Sequence, residues 1–317
     1  MAIRGNDDPN ILTGTLGRDT IIGKGGDDTL LGLDRNDILR GDDGNDSLSG
    51  DGGRDSLYGG ADDDDMSGGD GGDLLEGGSG NDTLDGGANA DSLFGGSGRD
   101  EAFGGDGADF IDLGGGRDLA FGGIGSDVII GGGGADRLFG ESGRDMISGG
   151  LGNDAISGGT GSDTLSGDEG SDTIRGQGGA DEISGGDDAD DISGGGGSDS
   201  IFGDGGDDYL TGGSGVDDVN GGSGNDTLLG GEGNDTLTGN AGSDTFVLEI
   251  GSDTITDFSI LDDTLDLSAG VGFNTLLDVI LGSVQVGADL LVQDDDGNGL
   301  LIENFNLVDL SLDIILL

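Results

Sequence analysis

An aspartate recurs at every ninth position of this chain from Asp19 to Asp244, 26 times without a slip. Five residues before it stands a glycine in 25 of the 26 cases, the exception being Leu113. Two residues before it stands a glycine in 22, the exceptions being Arg35, Asp62, Asn89 and Asp188. Two residues after it comes an apolar side chain in all 26, from Ile21 to Phe246, with Ala102 and Ala120 the smallest. The unit is Gly-Gly-x-Gly-x-Asp-x-U-x, with U apolar. Composition alone, with 79 Gly and a net charge of −56 in 317 residues, reads as a disordered acidic chain. Disorder needs no phase, and this phase is unbroken, so the period calls for a fold.

A unit so short and so rich in glycine cannot be a helix. Its x-U-x piece suits a three-residue strand, and the other six residues suit a turn in which glycine adopts positive φ. Asp62, Asn89 and Asp188 replace that glycine with residues that tolerate the left-handed region. Arg35 does not, so its loop is expected to be distorted. Two units make one coil: strand, loop, strand, loop. Stacked coils give an all-β solenoid, a parallel β-roll with the U side chains between two sheets. Equivalent aspartates of successive coils then lie about 4.8 Å apart. One column holds Asp19, Asp37, Asp55, Asp73, Asp91, Asp109, Asp127, Asp145, Asp163, Asp181, Asp199, Asp217 and Asp235. The other holds Asp28, Asp46, Asp64, Asp82, Asp100, Asp118, Asp136, Asp154, Asp172, Asp190, Asp208, Asp226 and Asp244.

Such columns repel themselves. Each like-charged neighbour at that spacing costs about 1 kcal/mol in water and about 3 at an effective dielectric of 20. Cations between the carboxylates would remove the repulsion, and calcium suits the donors. It is hard, prefers oxygen, and accepts six to eight carboxylate and carbonyl ligands, whereas magnesium demands tight octahedral geometry and keeps its waters. With no His and no Cys, the chain offers nothing that favours zinc or copper. The gaps along the two columns allow at most about 24 ions, which would bring the charge to about −8.

Clear copies of the unit are Gly131 to Phe139 (GGGGADRLF) and Gly221 to Leu229 (GGSGNDTLL). On these the sequence resembles the RTX (repeats-in-toxin) family of calcium-binding nonapeptide repeats, over roughly residues 10–247. The resemblance implies ions held between loops of successive coils on one side, each by two of the column aspartates 18 residues apart, such as Asp127 with Asp145. It also implies export by type I secretion machinery to an extracellular, calcium-rich location.

Composition shifts after Val247, which divides the chain into a calcium-binding roll over 1–247 and a C-terminal cap with a secretion signal over 248–317. The tail holds 7 of the 79 Gly, no Lys or Arg, and 32 Leu, Ile, Val or Phe in 70 residues. A repeat stack needs such a cap to close its open end. Asp253 to Phe258 and Asp263 to Leu267 look like the strand pair that ends RTX blocks. Asp253 keeps the phase but lacks the glycine five residues earlier, and so is left out of the columns. Asn274 to Leu281 suits a short helix, and Asp289 to Gln293 with Leu300 to Asn304 suits a hairpin. Its turn, Asp294 to Asn298, lacks the first ligand of an EF-hand although Glu303 stands at the last, so a plain hairpin is expected. The end, Val308 to Leu317, resembles the uncleaved type I export signal or a final edge strand.

What is missing narrows the function. No His and no Cys excludes Ser-His-Asp and Cys-His catalysis and disulfides. Asp plus Glu number 67 against 11 Lys plus Arg, so nucleic acid and anionic membranes are repelled. No run of 18 apolar residues exists to span a bilayer, and the start lacks the apolar core of a secretory signal peptide. The repeats begin close to Met1, so no upstream catalytic domain is expected. The expectation is a secreted, non-enzymatic calcium-binding protein with a surface-layer, matrix or adhesive role and a protein or cell-surface partner. The alternatives are an extracellular enzyme using Asp and Tyr, though Tyr58 and Tyr209 lie in no catalytic context, and an ice-binding adhesin. Ice binding needs a regular Thr and Asn array, which is broken here: Thr follows the Asp in 8 of 26 repeats and Asn precedes it in 6. Last, Phe103, Phe121 and Phe139 stand 18 apart at the end of alternate repeats. At that spacing they could stack on one outer face, but the expectation is that Phe103 and Phe121 swing inward to offset Ala102 and Ala120 and leave no patch, although Phe139 stands beside a full-sized Leu138.

Overall fold

The computed structural model describes residues 1–247, 249, 251–259, 261–266, 283–286, 289–293 and 299–302. Among these the regular elements are all strands. Contacts divide the chain into two compact units, Met1–Thr164 and Leu165–Leu317. Each is a parallel β-roll in which odd and even repeats feed opposite sheets.

In the first unit one sheet runs through Ser92–Gly98, Phe110–Gly116, Val128–Gly134 and Met146–Leu151. The facing sheet runs through Thr83–Ala88, Glu101–Asp106, Leu119–Gly125 and Arg137–Gly143. Pairing is parallel and steps by one coil: Phe110 meets Val128, and Leu119 meets Arg137. The second unit repeats the scheme, with Glu182–Asp187, Ser200–Gly205 and Asp218–Ser223 in one sheet and Thr173–Gly178, Asp191–Gly196 and Tyr209–Gly215 in the other.

The strands are six or seven residues long rather than three. Pairing continues past the first glycine, as in Asp85↔Phe103, Gly87↔Gly105 and Ala88↔Asp106. Coils of equal length stack loop on loop, so the glycine segment also finds partners for its backbone N–H and C=O groups. Gly123 shows the constraint this imposes: at φ 106°, a Cβ there would lie 2.2 Å from the Gly105 carbonyl oxygen. The expected distortion at Arg35 is absent. Its φ of 76° matches Asp62 at 74°, Asn89 at 77° and Asp188 at 72°. The stacked coils impose the left-handed conformation, which costs a side-chain-bearing residue about 1–2 kcal/mol.

The U side chains form the core, buried from Ile21 through Phe246. Leu113, the one break in the glycine pattern, is fully buried on the coil between Ala102 and Ala120. Phe103 and Phe121 do not swing inward: both rings, with Phe139, stay half-buried on the outer face. They stack at 5.4 and 5.0 Å between centroids.

In the tail, Ser252–Ile255 and Thr264–Asp266 do not pair with each other. The first extends one sheet beside Thr236–Ala241 and the second extends the other beside Thr245–Val247. Ser283–Val286, Asp289–Gln293 and Gly299–Ile302 form an antiparallel set that docks on Ser252–Ile255 and covers its free edge. The expected strands at Asp289 to Gln293 and from Leu300 are thus present. The helix expected over Asn274 to Leu281, the turn Asp294 to Asn298, Glu303 and the segment Val308 to Leu317 lie outside the described residues.

Candidate metal centre

Each repeat aspartate sits where a strand begins, and the tight loop before it turns its side chain inward. All 26 are buried, at 1–4% exposure. Their two oxygens differ. Oδ1 accepts the backbone N–H of the aspartate one coil earlier: Asp109 N–H donates to Asp127 at 2.8 Å and Asp127 N–H to Asp145 at 2.9 Å. In the second unit Asp190 N–H donates to Asp208 at 2.9 Å and Asp208 N–H to Asp226 at 3.0 Å. This ladder fixes the carboxylate rotamer along each column.

Oδ2 is a different matter. At every ninth residue from Asp28 to Asp145, and again from Asp190 to Asp235, it is buried without a hydrogen-bond partner. A buried charged acceptor left unpaired is costly, and native proteins rarely keep even one. Here the pattern recurs coil after coil. The position it faces is equally regular. A Cβ on Gly122 would lie 2.7 Å from Asp127 Oδ2 and 2.9 Å from the Gly140 carbonyl oxygen. On Gly221 it would lie 2.4 Å from Asp226 Oδ2 and 2.9 Å from the Gly239 carbonyl oxygen. At these glycines the aspartate five residues on leaves no space for a side chain, Leu113 before Asp118 being the one exception, and the carboxylate oxygen lies near a carbonyl oxygen of the next coil. Among the described residues no three acidic side chains gather at one place. An ion here would therefore draw on backbone carbonyls as well as carboxylates, the mixed oxygen set that calcium accepts.

The electrostatics agree. Burial, aided by like-charged neighbours, pushes the carboxyls of Asp55, Asp64, Asp91 and Asp190 up to about 7, and that of Asp46 to about 6. Asp19 is the informative exception. The Met1 ammonium lies 2.5 Å from its Oδ1, and Thr15 donates N–H and O–H to its Oδ2. Its carboxyl is held down to about 2. The Met1 ammonium and the Thr15 donors stabilise this carboxylate, a set of partners that Asp55, Asp64, Asp91 and Asp190 lack.

A pH dependence follows for the calcium-free chain. Carboxyls that titrate near 6–7 when folded and near 4 when unfolded bind more protons in the folded state. Their stabilising contribution is complete below about pH 4 and is lost as pH rises through 6–7. Lowering the pH of calcium-free protein from 7.5 to 5 is expected to raise its strand content, read by circular dichroism. Strand content that stays flat or falls would contradict this.

Two aspartates outside the 26 join the ladders. Asp253 Oδ1 accepts the Asp235 N–H at 3.1 Å, and Asp263 Oδ1 accepts the Asp244 N–H at 3.1 Å. The unbroken phase could have flagged Asp253. Asp263 stands 19 residues after Asp244 instead of 18, so a strict period passes over it.

Fold and geometry together define a repeat protein with two columns of buried carboxylates. The chain belongs to the family of RTX calcium-binding nonapeptide repeats, which matches residues 4–39, 31–66, 67–102, 85–120, 121–156, 157–192, 184–219 and 220–255. These repeats bind calcium. Among solved structures the chain is similar to the extracellular lipase LipA from Serratia marcescens, at 16% identity, over 74% of this chain and 39% of the lipase, with a TM-score of 0.24. The chain thus spans about two fifths of that enzyme. No curated protein matches it. Among the described residues no helix is long and apolar enough to cross a membrane.

Proposed function

We propose that this protein is a secreted, non-enzymatic calcium-binding protein whose roll folds when calcium fills the loops between successive coils, and that it serves a structural, surface or adhesive role. The observation that carries this reading is the recurring buried Oδ2 with no partner. Each ion would lie between two column aspartates one coil apart, such as Asp127 with Asp145, and would also take glycine-loop carbonyls. The residues in question are the 26 aspartates from Asp19 to Asp244, with Asp253 and Asp263 as extensions at the C-terminal end. Bound calcium supplies the positive charge that offsets the columns.

The chain's own residues do the rest. The Oδ1 ladder presets the carboxylates, the glycines leave room for oxygens to converge, and the U side chains hold the two sheets together. Binding free energy becomes folding free energy, because the unfolded chain has no such sites. Where free calcium is low the acidic chain stays unfolded and suited to threading through type I export machinery. Outside the cell, millimolar calcium drives it to fold.

Ion counting after equilibrium dialysis tests the reading. The expected stoichiometry is on the order of 20 calcium ions per chain, with little zinc retained. A count of a few ions would overturn the column model.

A further inference from the structure

We propose that the outer sheet face centred on Leu119 and Phe121 is a self-association surface that pairs two copies of this chain antiparallel. Three rows of outward residues carry the argument. Along the first, Glu101, Leu119 and Arg137 are register neighbours on successive coils. Along the second run Phe103, Phe121 and Phe139, whose rings are within 4° and 11° of parallel and half-exposed. Arg137 caps the end of this row, with its guanidinium 5.5 Å from the Phe139 ring centre. Along the third, Ile124 stands between Asp106 and Ser142 and is 65% exposed. Apolar side chains thus concentrate on the central coil, and opposite charges lie one coil to either side of it.

That pattern is complementary to itself. A two-fold axis along the central strand reverses the coil order while keeping each row opposite its own row. Leu119 and Phe121 then meet their own copies at the axis, with Ile124 past the turn of the backbone at Gly123. Phe103 meets Phe139, and Glu101 of each copy meets Arg137 of the other. One coil further out, Thr83 faces Ala155 and Asp85 faces Ser157, so along these rows no like charges oppose across five coils; Arg117, in the loop before the central strand, is the one charged residue that meets its own copy. Centring the axis one coil earlier would set Glu101 against Glu101, and one coil later Arg137 against Arg137. Pairing the rods in parallel would set the first row against the third and bring Glu101 against Asp106. In a chain with a net charge of −56, a face on which one register sets Glu101 against Arg137 of the other copy is suited to pairing with itself.

Five coils about 4.8 Å apart, each with a strand about 20 Å long, bury about 480 Å² per copy, at the small end of specific interfaces. Self-association is therefore expected at micromolar concentrations, and only in the folded state.

Sedimentation velocity of the full chain in millimolar calcium, from about 1 to 100 µM, tests the proposal, with circular dichroism confirming the fold of every variant. A monomer–dimer equilibrium is expected. Phe121→Ser should abolish it. Glu101→Arg and Arg137→Glu should each weaken it by about tenfold or more, and the double reversal should restore it to within about threefold of the parent. Met146→Ser, on the opposite sheet, should leave it unchanged. Folded protein that is monomeric throughout, dimers indifferent to the single reversals, or a double reversal that fails to restore them would each overturn the proposal. Loss of folding in calcium would bear on the calcium reading instead. Both charged positions are on the surface, so the reversal arm holds even if Phe121→Ser fails to fold.

Discussion

Removing calcium at neutral pH is expected to abolish most of the strand signal of this chain, and restoring millimolar calcium to return it. The reason is that the driving force is divided over many sites. A site that sees calcium at ten times its dissociation constant contributes about 1.4 kcal/mol, and about 24 such sites sum to roughly 30 kcal/mol. That exceeds the net stability of ordinary domains, about 5–15 kcal/mol, so a fold that depends on it cannot survive its loss. Repulsion acts in the same direction, since each column of ionised carboxylates becomes unscreened when the ions leave. Circular dichroism in excess chelator and in calcium provides the measurement, with small-angle scattering to follow expansion. Equal strand content in the two conditions would end the calcium-driven folding reading.

The second large effect is expected from one aspartate in mid-column. In the proposed site arrangement Asp127 would serve two gaps, toward Asp109 and toward Asp145. Asp127→Asn keeps an oxygen that can accept the Asp109 N–H but removes the charge. It should lose about two ions, raise the calcium concentration at half-folding several-fold, and cost about 2–4 kcal/mol in saturating calcium. Asp127→Ala should cost a further 1–3 kcal/mol or so, because the Asp109 N–H, which now donates at 2.8 Å, would be left buried and unpaired. In calcium-free protein at pH 7.5, above the raised carboxyl pKa values of about 6, the sign should reverse for Asn. Losing one charge relieves two like-charged neighbours, each worth about 1–3 kcal/mol when ionised, so the variant should be at least as strand-rich as the parent. Calcium titrations and urea unfolding of the three proteins separate these effects. An Asn variant that matches the parent in calcium would show that Asp127 holds no ion.

Much of this arrangement is legible in the residues. The nine-residue phase dictates two strands per coil, and the alternation around each Asp places Leu138 inward and Phe139 outward. What misled was treating loop and strand as separate. The glycine segments pair because their neighbours one coil away are in the same conformation, and the same stacking holds Arg35 at positive φ. Asp263 joins its ladder in space despite a spacing that breaks the period. Leu113 looked like a lost glycine and proved to be core. No rule of spacing reports which empty volume a side chain can fill.

The sequence by itself determined the roll, its two columns of carboxylates and its demand for cations, because an unbroken period leaves each residue one place in the coil and like charges at strand spacing cannot stand alone. Only the tertiary structure decided how carboxylates such as those of Asp127 and Asp226 divide their oxygens, one on the neighbouring N–H and one buried without a proton donor. It likewise decided that the three phenylalanine rings stay outside. Both outcomes depend on where atoms from different coils meet, and the distances that set them belong to the stack rather than to any single repeat.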